Sequence, residues 1–236
     1  MRITHTTISL VSALALAMCV LASCNNDSRL HNVAEVSSDP YSGIDVSRHQ
    51  RDIDWDKVGC DSCVRFVYIK ATEGSTLVDT LYAANIEGAR RVGIKVGSYH
   101  YFSTQSSVQK QYANFKARLD EHRQDLIPMI DVEDSGNWGR SQLLDSVAEF
   151  ASLLERDYGR KPMIYSTAEF YNDILAPQFN SYPLYIGRYS SSQPQLKWGA
   201  HYTIWQFTEH GIITGINRHV DLCSFAAGKT INDISL

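Results

Sequence analysis

Residues 127–134 read Ile127-Pro128-Met129-Ile130-Asp131-Val132-Glu133-Asp134, an apolar run that leads into two acids separated by one apolar residue. The run predicts a β-strand over residues 127–133. Side chains at positions i and i+2 of a strand lie on the same face, so Asp131 and Glu133 are expected to point the same way at its C-terminal end. This strand would therefore present two carboxyl groups side by side.

Two neighbouring carboxyl groups shift each other's pKa, so that one tends to keep a proton while the other is ionised. Acid-assisted cleavage of a glycosidic bond requires this pair of states. The same Asp-x-Glu pattern also occurs in solvated acidic loops that follow core strands. The rest of the chain has to decide between these two interpretations.

The composition of the chain is that of an ordinary globular protein. Of its 236 residues, 44% are hydrophobic, 20% are charged and 11% are aromatic, as in typical soluble domains. The length suits one large domain, and α/β barrels often use it as a single unit. The formal net charge of −4 gives no footprint for a polyanion, which argues against nucleic acid as a partner.

The N-terminus has the pattern of a targeting segment. Arg2 gives a basic start, and residues 8–22 are apolar but too short to span a bilayer comfortably. The small residues before Cys24 resemble a bacterial lipoprotein signal, which predicts a signal peptide over residues 1–23 and lipidation of Cys24. An ordinary secretory signal cut nearby fits the same pattern, and either signal takes the protein out of the cytoplasm.

The predicted domain organisation follows from this signal. Residues 24–40 are polar and show no periodicity, so they are expected to form a lipid-anchored tether. Residues 41–236 are expected to form the folded domain.

The pair Cys60 and Cys63 allows several states. A short-loop disulfide, which suits an oxidising compartment, is the favoured state, and two reduced thiols are the second alternative. Half of a zinc site is the third alternative, although no second Cys-x-x-Cys or His-x-x-x-His motif is present to complete four ligands. A redox pair is the fourth, without the helix-opening context that such pairs have. Cys223 has no obvious partner.

Strands and helices alternate through the folded domain. Strands are predicted over residues 41–46, 65–70, 94–102, 127–133, 162–166, 182–188, 202–207 and 218–222. Helices are predicted over residues 78–91, 108–122 and 141–158, with Ser141 as an N-cap and Gly159 as the terminator of the last. A short helix or turn is predicted over residues 53–58, and a loop or short helix between residues 166 and 182. Five strand–helix repeats followed by three strands predict a parallel sheet with helices outside, and eight strands predict closure into a barrel.

Most of these strands carry a polar residue at or just past the C-terminal end. These residues are Asp45, Lys70, Tyr99, Asp131, Glu133, Tyr165, Arg188, Gln206 and Asp221. Barrel enzymes build their active sites at that end of the barrel. Polar residues on nearly every strand therefore favour an active site over chance polarity in loops.

A family resemblance covers about residues 41–228. Its motifs are Gly43-Ile44-Asp45-Val46-Ser47 with Gln50 and Ile53-Asp54-Trp55, Ile69-Lys70-Ala71-Thr72-Glu73-Gly74, Gly97-Ser98-Tyr99-His100-Tyr101-Phe102, Asp131-Val132-Glu133, Lys161-Pro162-Met163-Ile164-Tyr165-Ser166, Leu184-Tyr185-Ile186, Trp205-Gln206-Phe207 and Val220-Asp221-Leu222. In this order and spacing they resemble glycoside hydrolase family 25, the Chalaropsis-type lysozymes. The resemblance implies a modified TIM-like barrel of the α/β class with eight strands and about five helices, (β/α)5(β)3. It also implies muramidase activity, the cleavage of the β-1,4 bond from N-acetylmuramic acid to N-acetylglucosamine in peptidoglycan.

Carried over by position, the resemblance implies that Glu133 is the general acid and Asp131 its acidic partner. It also implies six supporting or substrate-binding residues in the cleft, namely Asp45, Asp221, Lys70, Tyr99, Tyr165 and Gln206. Lys70 could instead neutralise the acids, and Tyr99 and Tyr165 could belong to the barrel core. Cys223 stands where the family often has Asn, which puts the support of Asp221 in question. Neither a cofactor nor a metal ion is expected.

The role of Asp131 is left open by the sequence. An ionised Asp131 could stabilise positive charge on the sugar or orient the 2-acetamido group, which would then attack the anomeric carbon. Direct nucleophilic attack by Asp131 and direct attack by water are the alternatives. Strand geometry separates the two Cα atoms by about 6.6 Å, and side-chain torsions span the difference between retaining and inverting separations.

The expected partners are peptidoglycan glycan strands and, through the lipid anchor, a membrane; no partner subunit is inferred, so a monomer is expected. A cell that exports a muramidase risks its own wall, which favours the outer membrane of a Gram-negative bacterium as the anchoring site. Asn25 favours the same membrane, because it replaces the Asp often associated with inner-membrane retention. The alternatives are a catalytically inactive glycan-binding lipoprotein and a hydrolase of another amino-sugar polymer.

Overall fold

Eight strands close into a barrel in the computed structural model, which describes residues 40–236. The strands are β1 Gly43–Val46, β2 Phe66–Glu73, β3 Leu77–Val78, β4 Lys95–Tyr101, β5 Met129–Asp131, β6 Met163–Thr167, β7 Leu184–Gly187, β8 Ile204–Gly211 and β9 Val220–Phe225. They pair in the order β1-β9-β8-β7-β6-β5-β4-β2, and pairing of β1 with β2 closes the ring. The two-residue β3 only extends β2 as a hairpin. The predicted eight-stranded barrel is confirmed.

Helices follow each of the first five barrel strands. They are α1 Trp55–Val58, α2 Tyr82–Arg91, α3 Val108–Glu121, α4 Arg140–Tyr158 and α5 Ala168–Phe170, and the last continues as a π-turn over Tyr171–Leu175. Two short 3-10 turns span Arg48–Gln50 and Ile231–Asp233. The order of elements in the described region confirms the (β/α)5(β)3 arrangement.

Helix α4 begins differently from the prediction. Gly139, not Ser141, occupies the N-cap position, and no side chain caps the helix there. The C-terminus is as predicted, because Gly159 takes the left-handed conformation with φ of 69°, where a side chain would be strained.

Strand β9 runs against its neighbours. It pairs antiparallel with both β8 and β1, whereas the other barrel strands pair in parallel. Asp221 is therefore the second residue of its strand, not a residue at the C-terminal end as predicted. The reversal still brings it to the expected end of the barrel, where it lies directly opposite Asp45 in the register.

Strand β5 is shorter than predicted, and Glu133 lies beyond it. Pro128 has no N–H to donate, which ends regular pairing at one side. Past Asp131 the chain stays beside β6, because Val132 N donates to Tyr165 O at 3.0 Å and Ser166 Oγ donates to Val132 O at 2.7 Å. These two bonds fix the segment that carries Glu133 even though it is outside the strand.

The inside of the barrel is filled by aromatic and apolar side chains below the acids. The buried interior cluster comprises Phe66, Tyr68, Leu126, Ile127, Met129, Met163, Tyr165, Tyr185, Ile204, Cys223 and Ile234. Alternate residues of the same strands, such as Val67 and Ile69, belong to a second cluster shared with the helices. Strand residues therefore alternate between the interior and the helix layer.

Two glycines make room for the interior aromatic rings. A Cβ on Gly43 would lie 2.6 Å from the Phe66 ring, and a Cβ on Gly97 would lie 2.5 Å from Cε1 of Tyr68. Tyr68 cannot easily move aside, because its hydroxyl donates to Ile127 O at 3.0 Å. The close packing of barrel strands around these rings thus requires glycine at both positions.

The predicted signal peptide, residues 1–23, and Cys24 with its tether up to residue 39 lie outside the described residues. Within the described region, none of the helices has both the length and the apolar character to cross a membrane. Cys60 is exposed and Cys63 half-buried in the segment between α1 and β2, which leads into the N-terminal end of the barrel. A disulfide between them stays a prediction.

We expect Gly97→Ala to lower the free energy of unfolding by about 1–3 kcal/mol, because the added methyl group overpacks the interior against Tyr68. The measurement is urea denaturation followed by tryptophan fluorescence. Gly139→Ala is the control for a replaced glycine without overpacking, since no atom lies within 4 Å of a Cβ at that position. It loses only the preference of an N-cap for glycine over alanine. Equal stability of the two variants would contradict this account of the interior.

Candidate active site

All eight residues that the sequence predicted for the cleft meet at one end of the barrel. They are Asp45, Lys70, Tyr99, Asp131, Glu133, Tyr165, Gln206 and Asp221, carried by β1, β2, β4, β5, β6, β8 and β9 or, for Glu133, by the residues after β5. The charges of Asp45, Asp131 and Asp221 all raise the pKa of Tyr99, after burial. We call this set the acid site.

Asp45 is the centre of a hydrogen-bond network. Its side chain is 8% exposed. Its Oδ2 accepts hydrogen bonds from the Tyr185 hydroxyl at 2.7 Å and from Gln206 Nε2 at 2.9 Å. Both donors are uncharged, so Asp45 is held without a cation in direct contact.

Asp45 and Asp221 share a hydrogen bond between their carboxyl groups. Burial raises the pKa of Asp45, and its hydrogen bonds oppose the rise. Burial and the charge of Asp45 raise the pKa of Asp221 to about 9. Asp221 therefore holds a proton at neutral pH and donates it to Asp45.

The Tyr165 hydroxyl links Glu133 to this network. It donates to Gln206 Oε1 at 2.7 Å and also lies within hydrogen-bonding reach of the Glu133 carboxyl group. One hydroxyl has one proton, so Tyr165 either donates to ionised Glu133 or accepts from protonated Glu133 while donating to Gln206. The protonation state of Glu133 is thus coupled through two side chains to Asp45.

Glu133 is only partly buried, which leaves its carboxyl group accessible from the cleft. Burial raises its pKa and so does the charge of Asp45, while the hydrogen bond with Tyr165 and the charge of Lys70 act in the opposite direction. A carboxyl group with a raised pKa and access to solvent is suited to general acid catalysis.

Asp131 has a different environment. It is 8% exposed, and its Oδ1 is buried without a hydrogen-bond partner. Burial raises its pKa well above the ordinary value, and the charge of Glu133 raises it further. A buried acceptor without a donor is costly, so this oxygen is a position at which a ligand donor would be stabilising.

Lys70 is the cation of the site, and it does not contact Asp131 or Glu133 directly. Its Nζ pairs with Glu73 Oε2 at 2.7 Å and lies 4.9 Å from the centre of the Tyr101 ring. Its charge nevertheless lowers the pKa of both acids. This agrees with the interpretation that Lys70 offsets the acidic cluster.

The sequence did not assign roles to Tyr185, Glu73 and Tyr189. Tyr185 lies on the interior side of β7, and alternation of side chains along that strand was the available signal. Glu73 is the last residue of β2. Tyr189 is 53% exposed at the edge of the cleft, and its hydroxyl reaches Gln206 Oε1 at 3.2 Å; no sequence signal distinguishes it.

Cys223 is fully buried beneath the acids, and burial raises the pKa of its thiol well above the ordinary value. It contacts Tyr185 and contributes no hydrogen bond to Asp221, which is instead supported by Asp45. Cys223 therefore packs in the interior beneath the acids without supporting Asp221 directly. Within residues 40–236, no cluster of three or more His, Cys, Asp or Glu side chains is arranged to hold a metal ion.

A profile of the family described as glycosyl hydrolases family 25 matches residues 44–216. This chain belongs to that family. The match includes Asp45, Asp131 and Glu133 and ends before Asp221. The assignment of Asp221 to the site of this family 25 protein therefore rests on its position opposite Asp45 in the barrel. The resemblance inferred from the sequence is confirmed, and the protein is a glycoside hydrolase.

Known relatives of this family 25 protein include lysozymes. This chain is 38% identical over 187 residues to the uncharacterized protein YegX of Escherichia coli strain K12, and the alignment covers 78% of this chain and 68% of the relative. It is 32% identical over 186 residues to the autolytic lysozyme of Clostridium acetobutylicum, covering 79% and 56%. A crystal structure of a bacterial lysozyme from Streptomyces coelicolor superimposes with a TM-score of 0.73 at 27% identity, covering 80% of this chain and 93% of that one.

We expect Tyr165→Phe to raise the pKa of Glu133, because the variant removes a hydrogen bond that lowers it. The measurement is a titration of the side-chain carboxyl carbons of glutamate by ¹³C NMR. Tyr202→Phe is the matched control, since its hydroxyl bonds only Gln193, at 3.0 Å. A Glu133 titration that is unchanged or moves to lower pH in Tyr165→Phe would contradict the assigned coupling.

Proposed function

We propose that this protein is a lysozyme (N-acetylmuramidase) that cleaves the β-1,4 bond between N-acetylmuramic acid and N-acetylglucosamine in peptidoglycan. The observation that carries the proposal is the pairing of an accessible Glu133, whose pKa is raised, with a buried Asp131, whose Oδ1 is unpaired. Family membership and the lysozymes among the relatives support the choice of substrate.

Glu133 is the general acid of the proposed reaction. Burial and Asp45 favour its protonated form, and it donates that proton to the glycosidic oxygen as the bond to the anomeric carbon breaks. The sugar that leaves is then a neutral alcohol rather than an alkoxide. A positioned acid of this kind contributes about 10²–10⁴-fold to the rate.

Asp131 acts on the 2-acetamido group of the muramic acid. Its unpaired Oδ1 accepts the acetamido N–H, which orients the acetamido oxygen towards the anomeric carbon and stabilises the positive charge that forms on the ring. Attack by that oxygen expels the leaving group and gives a cyclic intermediate. Water then opens the intermediate and gives its proton to the Glu133 carboxylate, which restores the acid.

The remaining residues of the site hold these two acids in place. Asp221 and Asp45 fix the network that runs through Gln206 and Tyr165 to Glu133. Lys70 limits the accumulated negative charge. Neutral hydrogen-bond donors therefore position the acid without pairing it with a cation that would remove its proton.

We expect Glu133→Gln to lower kcat on purified peptidoglycan by about 10²–10⁴-fold with the fold retained, because the amide cannot donate an acid proton. The assay identifies new reducing ends by mass spectrometry.

The protein without substitutions tests the route of the reaction, because proton NMR identifies the first-formed anomer of the product. Muramic acid ends with an initial β anomer are expected. An initial α anomer would exclude the retaining route through Asp131 and the acetamido group.

Asp134→Asn is the matched control for Glu133→Gln. Asp134 is exposed next to the site, and its Oδ1 accepts a hydrogen bond from Gly136 N at 2.8 Å, which an Asn oxygen can also accept.

Two other results would indicate a different function for the protein without substitutions. Binding of peptidoglycan without release of reducing ends would indicate a glycan-binding lipoprotein. Release of ends from chitin but not from peptidoglycan would indicate a hydrolase of another amino-sugar polymer.

We further propose that the protein is exported, lipidated at Cys24 and anchored in the outer membrane, where it acts as a monomer. The support is the sequence of residues 1–24, the neutral Asn25 and an acid site composed of side chains of one chain.

Cys24→Ala should abolish palmitate incorporation and move the protein from the membrane to the soluble fraction, because it removes the atom that bears the lipid. Palmitate labelling tests lipidation, and cell fractionation tests anchoring. Light scattering of the soluble form measures its mass and so tests whether it is a monomer. Cys19→Ala, inside the apolar run, is the control. Membrane association that survives Cys24→Ala would exclude lipidation as the anchor.

A further inference from the structure

A surface pocket of about 580 Å³ lies beside the acid site and is rich in basic residues. It is lined by Arg48, His49, Arg51, Asp52, Thr80, Leu81 and Arg218. We call it the basic pocket. Its walls come from the segments after β1, before α2 and before β9, all of which lie at the same end of the barrel as the acids.

The lining of the basic pocket carries more positive than negative side chains. Three arginines face one lining carboxylate, Asp52. The guanidinium groups of Arg48, Arg51 and Arg218 form no salt bridge with any carboxylate of the described residues. In a chain with a formal net charge of −4, this local excess of positive charge is an exception that favours an anionic ligand.

The backbone segments around the basic pocket are held together by hydrogen bonds. Buried Asp79, which is 3% exposed, accepts a hydrogen bond from Arg48 N at 2.9 Å and one from Leu81 N at 2.9 Å, which joins two of the walls. Gln50 Nε2 donates to His219 O at 3.1 Å and joins the third. The backbone from which the exposed arginine side chains project is therefore fixed before a ligand binds, and only those side chains have to be ordered.

Arg51 occupies a backbone conformation that favours glycine. Its φ is 59°, in the region where a side chain strains the backbone. Its side chain is exposed and has no carboxylate partner among the described residues. The guanidinium group is therefore available to an anionic ligand.

The basic pocket is close to the cleft. Arg48 follows Asp45 by three residues, and Arg218 precedes Asp221 by three. Three residues span at most about 11 Å, so both arginines are anchored within that distance of an acid at the centre of the site. A ligand could therefore occupy the cleft and the basic pocket at once.

We propose that the basic pocket binds the free carboxylate groups of the peptide stems that branch from muramic acid. The inference rests on the proposed function. The stem leaves the glycan at the same sugar whose bond is cut, so it emerges next to the acid site. Its carboxylates would be repelled by the four acids and attracted by the arginines, which gives one orientation of the strand a lower free energy.

The test compares three soluble, uncrosslinked glycan strands: strands with intact stems, strands from which an amidase has removed the stems and left only the lactyl carboxylate on muramic acid, and strands with stem carboxylates converted to amides. Binding to the detergent-purified full chain carrying Glu133→Gln is measured by calorimetry, so that turnover does not consume the strands. We expect intact strands to bind about tenfold more tightly than the other two, as two exposed ionic contacts allow. Adding R51Q/R218Q should reduce this ratio to about one.

The matched control is K95Q/R123Q, which removes the same charge at the start of β4 and before β5, at the opposite end of the barrel. It should leave the ratio unchanged. The proposal would be overturned if the chain with Glu133→Gln alone bound all three strands with similar affinity. It would also be overturned if both double variants lost the preference for intact strands to the same extent. Arginine-dependent binding of phosphatidylglycerol vesicles with no preference among strands would also overturn it, in favour of a membrane contact.

Failure of the proposed function gives a different result. In that case the protein without substitutions releases no muramic acid ends from any strand, whereas the binding ratio and its dependence on Arg51 and Arg218 persist. If the protein releases muramic acid ends but binds intact and modified strands equally well, the proposed muramidase activity stands and only the role of the basic pocket is overturned.

Discussion

The hydrogen bonds that Asp45 accepts from Tyr185 and Gln206 determine how the rest of the site is arranged. They join β1 to β7 and β8 across the mouth of the barrel, and Asp221 on β9 completes the contact. Both bonded donors are neutral, so they stabilise the carboxylate of Asp45 without cancelling its charge, as a cation in an ion pair would. Glu133 and Asp131 therefore sit in a field that favours protonated carboxyl groups, which a direct lysine or arginine contact would reverse.

This arrangement has a cost in stability whose sign follows from the pKa shifts. The folded-state pKa values of Asp45, Asp131, Glu133 and Asp221 are all raised, that of Asp221 to about 9. These four groups thus bind more protons in the folded state than in the unfolded state above pH 4, so their contribution to the free energy of unfolding falls as pH rises from there towards 9. The aromatic interior and the helix-covered outer core have to offset this loss at neutral pH.

Alternation of strands and helices was sufficient to predict the barrel, and polar residues at strand ends were sufficient to predict which end holds the acids. The direction of β9 could not be predicted, because a short strand after an irregular segment reads the same in either direction. The contacts of Tyr185 were missed for a related reason. An interior tyrosine is usually part of the core, and only the pairing of β7 between β6 and β8 places its hydroxyl against Asp45.

In the proposed reaction, the unpaired Oδ1 of Asp131 decides where the proton of the pair resides. In the free protein Asp131 is the more deeply buried of the two acids and has no donor at Oδ1, so desolvation favours a proton on Asp131. An acetamido N–H at Oδ1 would favour the ionised form of Asp131 instead. The charge created on Asp131 then raises the pKa of its neighbour, so binding of the correct amino sugar itself places the proton on Glu133. A sugar without the acetamido group would leave the proton on the buried acid, which makes the selection of substrate and the preparation of the general acid one electrostatic event.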